Sequence, residues 1–260
     1  MNWKAISAVV AIVAVAAFVW FILERSATTG SGDVVDAPQT IEPSKPKKTV
    51  KETLAVESDP EYKEKAETIV APPAKVDDSD DKVREAAADL SEPLSKWLLP
   101  AQQIRKWVAL VEQMASNKLP SRNMPVSYNK DSFLVIEKGD ALVADPANFE
   151  RWDTLINTIT ALDPKQVAIY YKKWSPLLET SYNELGNPQS FDNQFRTTVE
   201  HMLFVEPISA NAKLKQPKVF YEYVDPKLEN ADALSKWMWR LGPENMEALQ
   251  AWLKELQSYL

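Results

Sequence analysis

Nineteen consecutive residues without a charge, Ala5 to Leu23, constrain this chain more than any other feature. At ~1.5 Å of rise per helical residue, that run matches a hydrocarbon core of about 30 Å. Trp3 stands at one end and Trp20 with Phe21 at the other, where amphipathic rings favour the headgroup layer. The run is therefore expected to be a transmembrane anchor contacting the lipid bilayer through residues 5–23. Lys4 and the amino terminus precede it, whereas Glu24 and Arg25 cancel behind it, so the positive-inside rule keeps the N-terminus cytoplasmic and exports the rest. A cleaved signal peptide is the alternative. Its apolar core is usually shorter and ends in a small-residue site, whereas Trp20-Phe21-Ile22-Leu23 follows the alanines here.

After the anchor (1–25) the character changes. Residues 26–81 carry Pro38, Pro43, Pro46, Pro60, Pro72 and Pro73, with 7 Lys against 13 Asp and Glu. A stretch so polar buries too little apolar area to offset its ordering entropy, which predicts a disordered, self-repelling tether. Asp77, Asp78, Asp80 and Asp81 close it. Export also removes nucleic acid from the partners, and the balanced charge of residues 82–260, with 21 Lys and Arg against 23 Asp and Glu, agrees with that exclusion. There is no cysteine, hence no disulfide, thiol catalysis or thiolate metal site.

Residues 82–260 are long enough for one globular domain with its own core. Asp-Pro at 145–146, 163–164 and 225–226 places a carboxylate N-cap before a proline at the first helical position. Ser175-Pro176 and Gly242-Pro243 repeat the pattern. Helical spacing recurs in Ile104, Trp107, Val108 and Val111; in Phe149, Trp152, Ile156 and Ile159; and in Phe191, Phe195, Val199 and Met202. It returns from Leu228 to Leu241 and again in Met246, Leu249, Trp252, Leu253 and Leu256. Gly186 and Gly242 follow such runs as helix-ending residues do. Two β-prone runs flank Lys138-Gly139-Asp140, which predicts an antiparallel hairpin; 218–224 is expected to add a third strand, although a helical reading also stands. The fold class is mostly α: a multi-helix domain with a small hairpin.

Chemistry-bearing residues are sparse. His201 is the only histidine, so a multi-histidine metal site is excluded, and no nucleophile motif accompanies it; neither metal nor cofactor is expected. Glu184 and Glu222 lie among tyrosines, where burial raises a carboxyl pKa, and form with His201 the weak catalytic candidates of an envelope hydrolase or transferase. Tyr170, Tyr171 and Trp174 span more than one helical face. With Tyr182 and Tyr221 they are the candidate lining of a binding groove, rimmed by Lys172 and Lys173 and further by Lys213, Lys215 and Lys218.

Five blocks carry a resemblance: Asp145-Pro146-Ala147-Asn148; Tyr170 through Trp174 with Pro176-Leu177; Tyr182 through Pro188; Gln216 through Glu222; and Gly242-Pro243-Glu244-Asn245. In these the domain resembles an uncharacterised bacterial family, mostly proteobacterial, known only as a domain of unknown function and typically preceded by one anchor and a proline-rich tether. The resemblance implies a bacterial envelope, with the domain in the periplasm at a Gram-negative inner membrane. It supplies no activity, cofactor or catalytic residue. Three functions follow as expectations: foremost a non-enzymatic module that binds an unknown envelope protein or polymer; as its rival the hydrolase or transferase; and third an apolar-ligand carrier, which needs a cavity of about 300 Å³ or more.

Overall fold

A computed structural model of the protein describes residues 68–118, 125–127 and 131–260. The expected anchor, and the tether up to residue 67, lie outside the described residues. Among the described residues no helix is long and apolar enough to cross a membrane.

Ten helices are found among the described residues: α1 Asp80–Leu90, α2 Glu92–Ser95, α3 Gln103–Ala115, α4 Ala147–Glu150, α5 Asp153–Thr160, α6 Pro164–Asn183, α7 Phe191–Phe204, α8 Pro226–Glu229, α9 Ala233–Arg240 and α10 Pro243–Tyr259. The Asp-Pro pairs at 163–164 and 225–226 act as their spacing predicts, whereas at 145–146 Pro146 itself takes the N-cap position of α4. Asp163 accepts from Lys165 N–H at 2.9 Å and starts α6, and Asp225 accepts from Lys227 N–H at 2.8 Å and starts α8. Asp145 accepts from Ala147 N–H at 2.9 Å. Ser175-Pro176 does not start a helix. Pro176 lies inside α6, which runs on because Trp174, Leu177, Leu178 and Tyr182 bury on both sides of it. That packing offsets the ~3 kcal/mol an interior proline costs.

Helix α6 is the central element, packed against α3, α7 and α10, while α10 also covers α5 and α7. The expected stripes supply the core: Ile104, Trp107, Val108 and Val111 are buried, as are Phe191, Phe195, Val199 and Met202. The stripe from Phe149 to Ile159 is divided between α4 and α5, with Phe149 and Trp152 half-buried.

A small antiparallel sheet caps one side, in the order β1 (Val135–Lys138), β2 (Ala141–Ala144), β3 (Leu214–Lys215), β4 (Glu222–Tyr223). β1 and β2 form the expected hairpin, with Gly139 at φ +62° in its turn. Of 218–224 only Glu222 and Tyr223 are strand, and β3 adds a fourth strand that the periodicity does not show. Strand residues paired across the ladder share a face: Ala144 (opposite Val135), Leu142, Leu214 and Tyr223 line the face turned to α9 and α10.

Residues 68–81, read from sequence as the end of the tether, pack on the domain. Ile69, Val70 and Val76 join the core, and Asp80 opens α1. The acidic run has structural work here. The Asp80 carboxylate accepts from the N–H groups of Gln102 and Gln103 at 2.7 Å each, supplying from α1 the cap that Gln102 does not give α3. Asp77 pairs with Arg105 at 2.7 Å. A segment too polar to fold alone is ordered by such tertiary bonds.

Candidate functional site

The three candidate catalytic groups are each engaged structurally. Glu184, just past α6, accepts from Arg105 Nε at 2.7 Å and Nη2 at 3.1 Å, tying α6 to α3. Glu222 faces Lys215 at 3.4 Å on the rung that joins β3 and β4. His201 Nε2 lies 3.3 Å from Asp232 Oδ1, and Asp232 caps α9 through Ser235 N–H at 2.9 Å. Burial opposes ionisation of Asp232, but the Ser235 donors and His201 hold its carboxyl below the usual range. Among the described residues no three His, Cys, Asp or Glu side chains are grouped to hold a metal ion.

The aromatic groove expected on α6 is not at the surface. Tyr170, Tyr171, Trp174 and Tyr182 are buried, because α6 is enclosed on more than one side and both of its aromatic faces have a neighbour to pack against. The Tyr170 hydroxyl donates to Asp89 and accepts from Val70 N–H at 3.1 Å, and Trp174 Nε1 donates to the Val70 carbonyl at 3.0 Å. Tyr171 donates to Asp192 at 2.7 Å with its ring 4.8 Å from that of Phe195, and Tyr182 donates to Glu112 at 2.5 Å. Burial, reinforced by Glu112, pushes the Tyr182 hydroxyl up to about 12. Lys172 is half-buried and Lys173 exposed beside this buried cluster. Tyr221, half-buried, is the one member that lies elsewhere, with its ring 6.2 Å from that of Phe133.

Phe133 leads to a cleft of about 30 Å³ between the inner face of the sheet and the α9–α10 junction. Phe133, Phe149, Tyr223 and Trp239 give it aromatic walls; Leu214 and Pro243 add apolar surface; Ser209, Ala210 and Ala212 form one rim; Arg240 is its only charged lining residue.

Each wall is fixed by backbone-directed bonds. Asn148 accepts from Leu134 N–H at 2.9 Å and donates to the Leu134 carbonyl at 2.6 Å. Arg151 donates to the carbonyls of Asp131 and Ser132 at 3.0 and 3.3 Å, so the backbone on either side of Phe133 is held. Tyr223 N–H donates to Glu229 at 2.8 Å, and Trp239 Nε1 donates to the Glu206 carbonyl at 2.8 Å. Their rings meet edge to face, with centroids 5.8 Å apart, the favoured geometry for such a pair. The rim is a tight turn in which Ser209 Oγ accepts from Asn211 N–H at 3.2 Å.

Gly242 backs the Phe149 wall. Its φ of +86° suits glycine, and a Cβ there would stand 2.7 Å from Phe149. Asn245 reaches back to donate to the Phe149 carbonyl at 3.2 Å. Of the five sequence blocks, 242–245 lines the cleft through Pro243, and 145–148 and 216–222 adjoin in sequence its lining residues Ala144, Phe149 and Tyr223, whereas 170–177 and 182–188 serve the core and its attachments.

Arg240, at the C-terminal end of α9, makes no hydrogen bond and no ion pair with any described residue. Glu229 and Tyr223 act on it electrostatically, but the two oxygens of Glu229 already receive Tyr223 N–H and, at 3.0 Å, Lys236 Nζ. Burial lowers the Arg240 pKa from its ordinary value. It raises that of Tyr223, with Arg240 opposing. The sequence held one signal for this site: Trp239 and Arg240 fall off the buried stripe of Leu234, Trp237, Met238 and Leu241.

Residues 103–257 match the family described as "Protein of unknown function (DUF3014)". No curated protein and no solved structure is significantly similar to the sequence.

Proposed function

From the premise that the chain belongs to this family of proteins of unknown function, we propose that it is a non-enzymatic interaction module of the bacterial envelope. It is held at the inner membrane by residues 5–23, with its N-terminus cytoplasmic and its C-terminal domain in the periplasm. The partner is an envelope protein or polymer, engaged at the cleft between the sheet and the α9–α10 junction.

One observation carries this reading: the cleft gathers four aromatic rings at a half-exposed site, with Tyr221 beside them, while Glu184, Glu222 and His201 are each committed to a structural partner. Rigid aromatic area with a polar handle is what protein interfaces favour. A cleft of about 30 Å³ takes a side chain or a single functional group of a larger partner, and falls far below the size an apolar-ligand carrier needs. Tethering adds to it by raising the local concentration of the module beside the membrane without fixing its orientation.

A photo-crosslinking amino acid placed at Tyr221 of the full-length protein, in cells, tests the reading against the same label at the exposed Lys173. A discrete product from Tyr221 and none from Lys173 is expected. Products from Lys173 alone, or from neither position, would contradict it.

A further inference from the structure

We propose that the cleft recognises a carboxylate carried on an apolar stem of a partner molecule, with the Arg240 guanidinium receiving the carboxylate and the aromatic walls receiving the stem. This deepens the proposed function and rests on it.

The first support is the state of Arg240. Arg240 is half-buried, and none of the described residues supplies an acceptor to its donors, so the guanidinium meets only solvent at the cleft wall. The end of α9 compensates in part, since helix C-termini favour cations. The neighbouring carboxylate of Glu229 is already shared between Tyr223 N–H and Lys236. A planar fork of donors left unpaired at a cleft wall is complementary to an arriving planar anion, and a carboxylate matches it with two parallel hydrogen bonds.

The second support is size and lining. About one water's worth of room is 10–15 Å³ on the same measure, so about 30 Å³ admits one carboxylate or a group of similar size and leaves the rest of the ligand outside. The ligand is therefore a group on something larger. Apart from Arg240, Ser209, the Tyr223 hydroxyl and the Trp239 indole N–H, which is already bonded to Glu206, the side-chain lining is aromatic or aliphatic; this favours an apolar stem beside the charge. A phosphate monoester, doubly charged and strongly hydrated, would find a single cation and little else polar.

Two sources present such a group: the C-terminus of a polypeptide with an apolar last residue, and an Asp or Glu side chain within a polypeptide. The experiment separates them. The full-length protein, reconstituted in lipid nanodiscs, is titrated against dye-labelled Gly-Gly-Ala-Leu with a free C-terminal carboxylate, and binding is read by fluorescence anisotropy. The same peptide as its C-terminal amide, and Gly-Gly-Glu-Leu as its amide, form the other arms, with inorganic phosphate as competitor. Binding of the free-carboxylate peptide, weakened at least tenfold by amidation and by Arg240→Gln and less by Arg240→Lys, is expected for a C-terminus. Preference for the Glu-containing amide assigns the side-chain source and keeps the carboxylate.

Equal binding of all three peptides, no binding of any up to millimolar concentration, or displacement by phosphate below the peptide's own dissociation constant would overturn the proposal. Should Arg240→Gln fail to fold, Ala210→Phe fills the cleft mouth and is expected to abolish binding with Arg240 intact, and the comparison between acid and amide on the unaltered protein decides alone. If these arms fail while the Tyr221 label still captures a product in cells, the module reading stands and the carboxylate falls.

Discussion

The indole of Trp174 donates a hydrogen bond to the carbonyl of Val70 at 3.0 Å, joining the middle of the central helix to the point where the polypeptide enters the domain. Tyr170, one turn earlier on the same face, accepts from Val70 N–H at 3.1 Å, so both polar groups of one peptide residue are satisfied by one helix.

Trp174→Phe keeps most of the buried ring and removes the donor, leaving the Val70 carbonyl without its partner. The expected cost is about 1–3 kcal/mol of unfolding free energy, together with faster proteolysis near Val70. Urea denaturation and timed digestion of the full-length protein measure both effects; unchanged values in both would show that the bond contributes nothing.

Asp89 provides a pH test of the same attachment. Burial, partly opposed by the Tyr170 hydrogen bond, raises its pKa to about 6, and its second oxygen is buried without a partner. The folded state therefore holds this proton more tightly than the unfolded state, whose Asp titrates near 3.9. The contribution to stability is fully present below about pH 4 and is lost as pH rises through about 6. Asp89→Asn removes that dependence. The stability of the parent protein relative to Asp89→Asn is expected to fall between pH 4 and pH 6.5 in denaturant melts, and parallel profiles would contradict it.

Gly242 and Gly186 both have positive φ but differ in surroundings. A Cβ at Gly186 meets nothing within 4 Å, whereas one at Gly242 would strike Phe149 at 2.7 Å. Gly186→Ala is expected to cost about 1 kcal/mol for backbone strain alone. Gly242→Ala adds an overpacking cost of about 1–3 kcal/mol and displaces the Phe149 wall of the cleft. Melting curves for the two variants should differ accordingly, and equal losses would mean that Phe149 moves aside freely.

How much of this was legible in the sequence follows the range of the forces involved. The caps at Asp163 and Asp225, the turn at Gly139 and the stripes of α3, α7 and α10 rest on contacts within a few residues, and the structure has them where the spacing puts them. Pro176 breaks a local rule because packing on both sides of α6 outweighs it. Tyr170, Tyr171 and Trp174 do occupy two faces of a helix, but whether a second face meets solvent or another helix depends on neighbours distant in sequence. Apart from Trp239 and Arg240 off their stripe, the cleft was not legible for the same reason: Phe133, Phe149, Ala212, Tyr223 and Trp239 lie on five separate segments. β3, two residues long, has no periodicity to read.

The proposal that the cleft and its rim engage a partner is open to one direct measurement: hydrogen–deuterium exchange of the full-length protein in native membrane vesicles, compared with the purified protein in nanodiscs. Slower exchange in the vesicles is predicted for backbone amides of 208–214 and 219–224, with α6 unchanged. Identical exchange across the cleft, or protection confined to other surfaces, would contradict it.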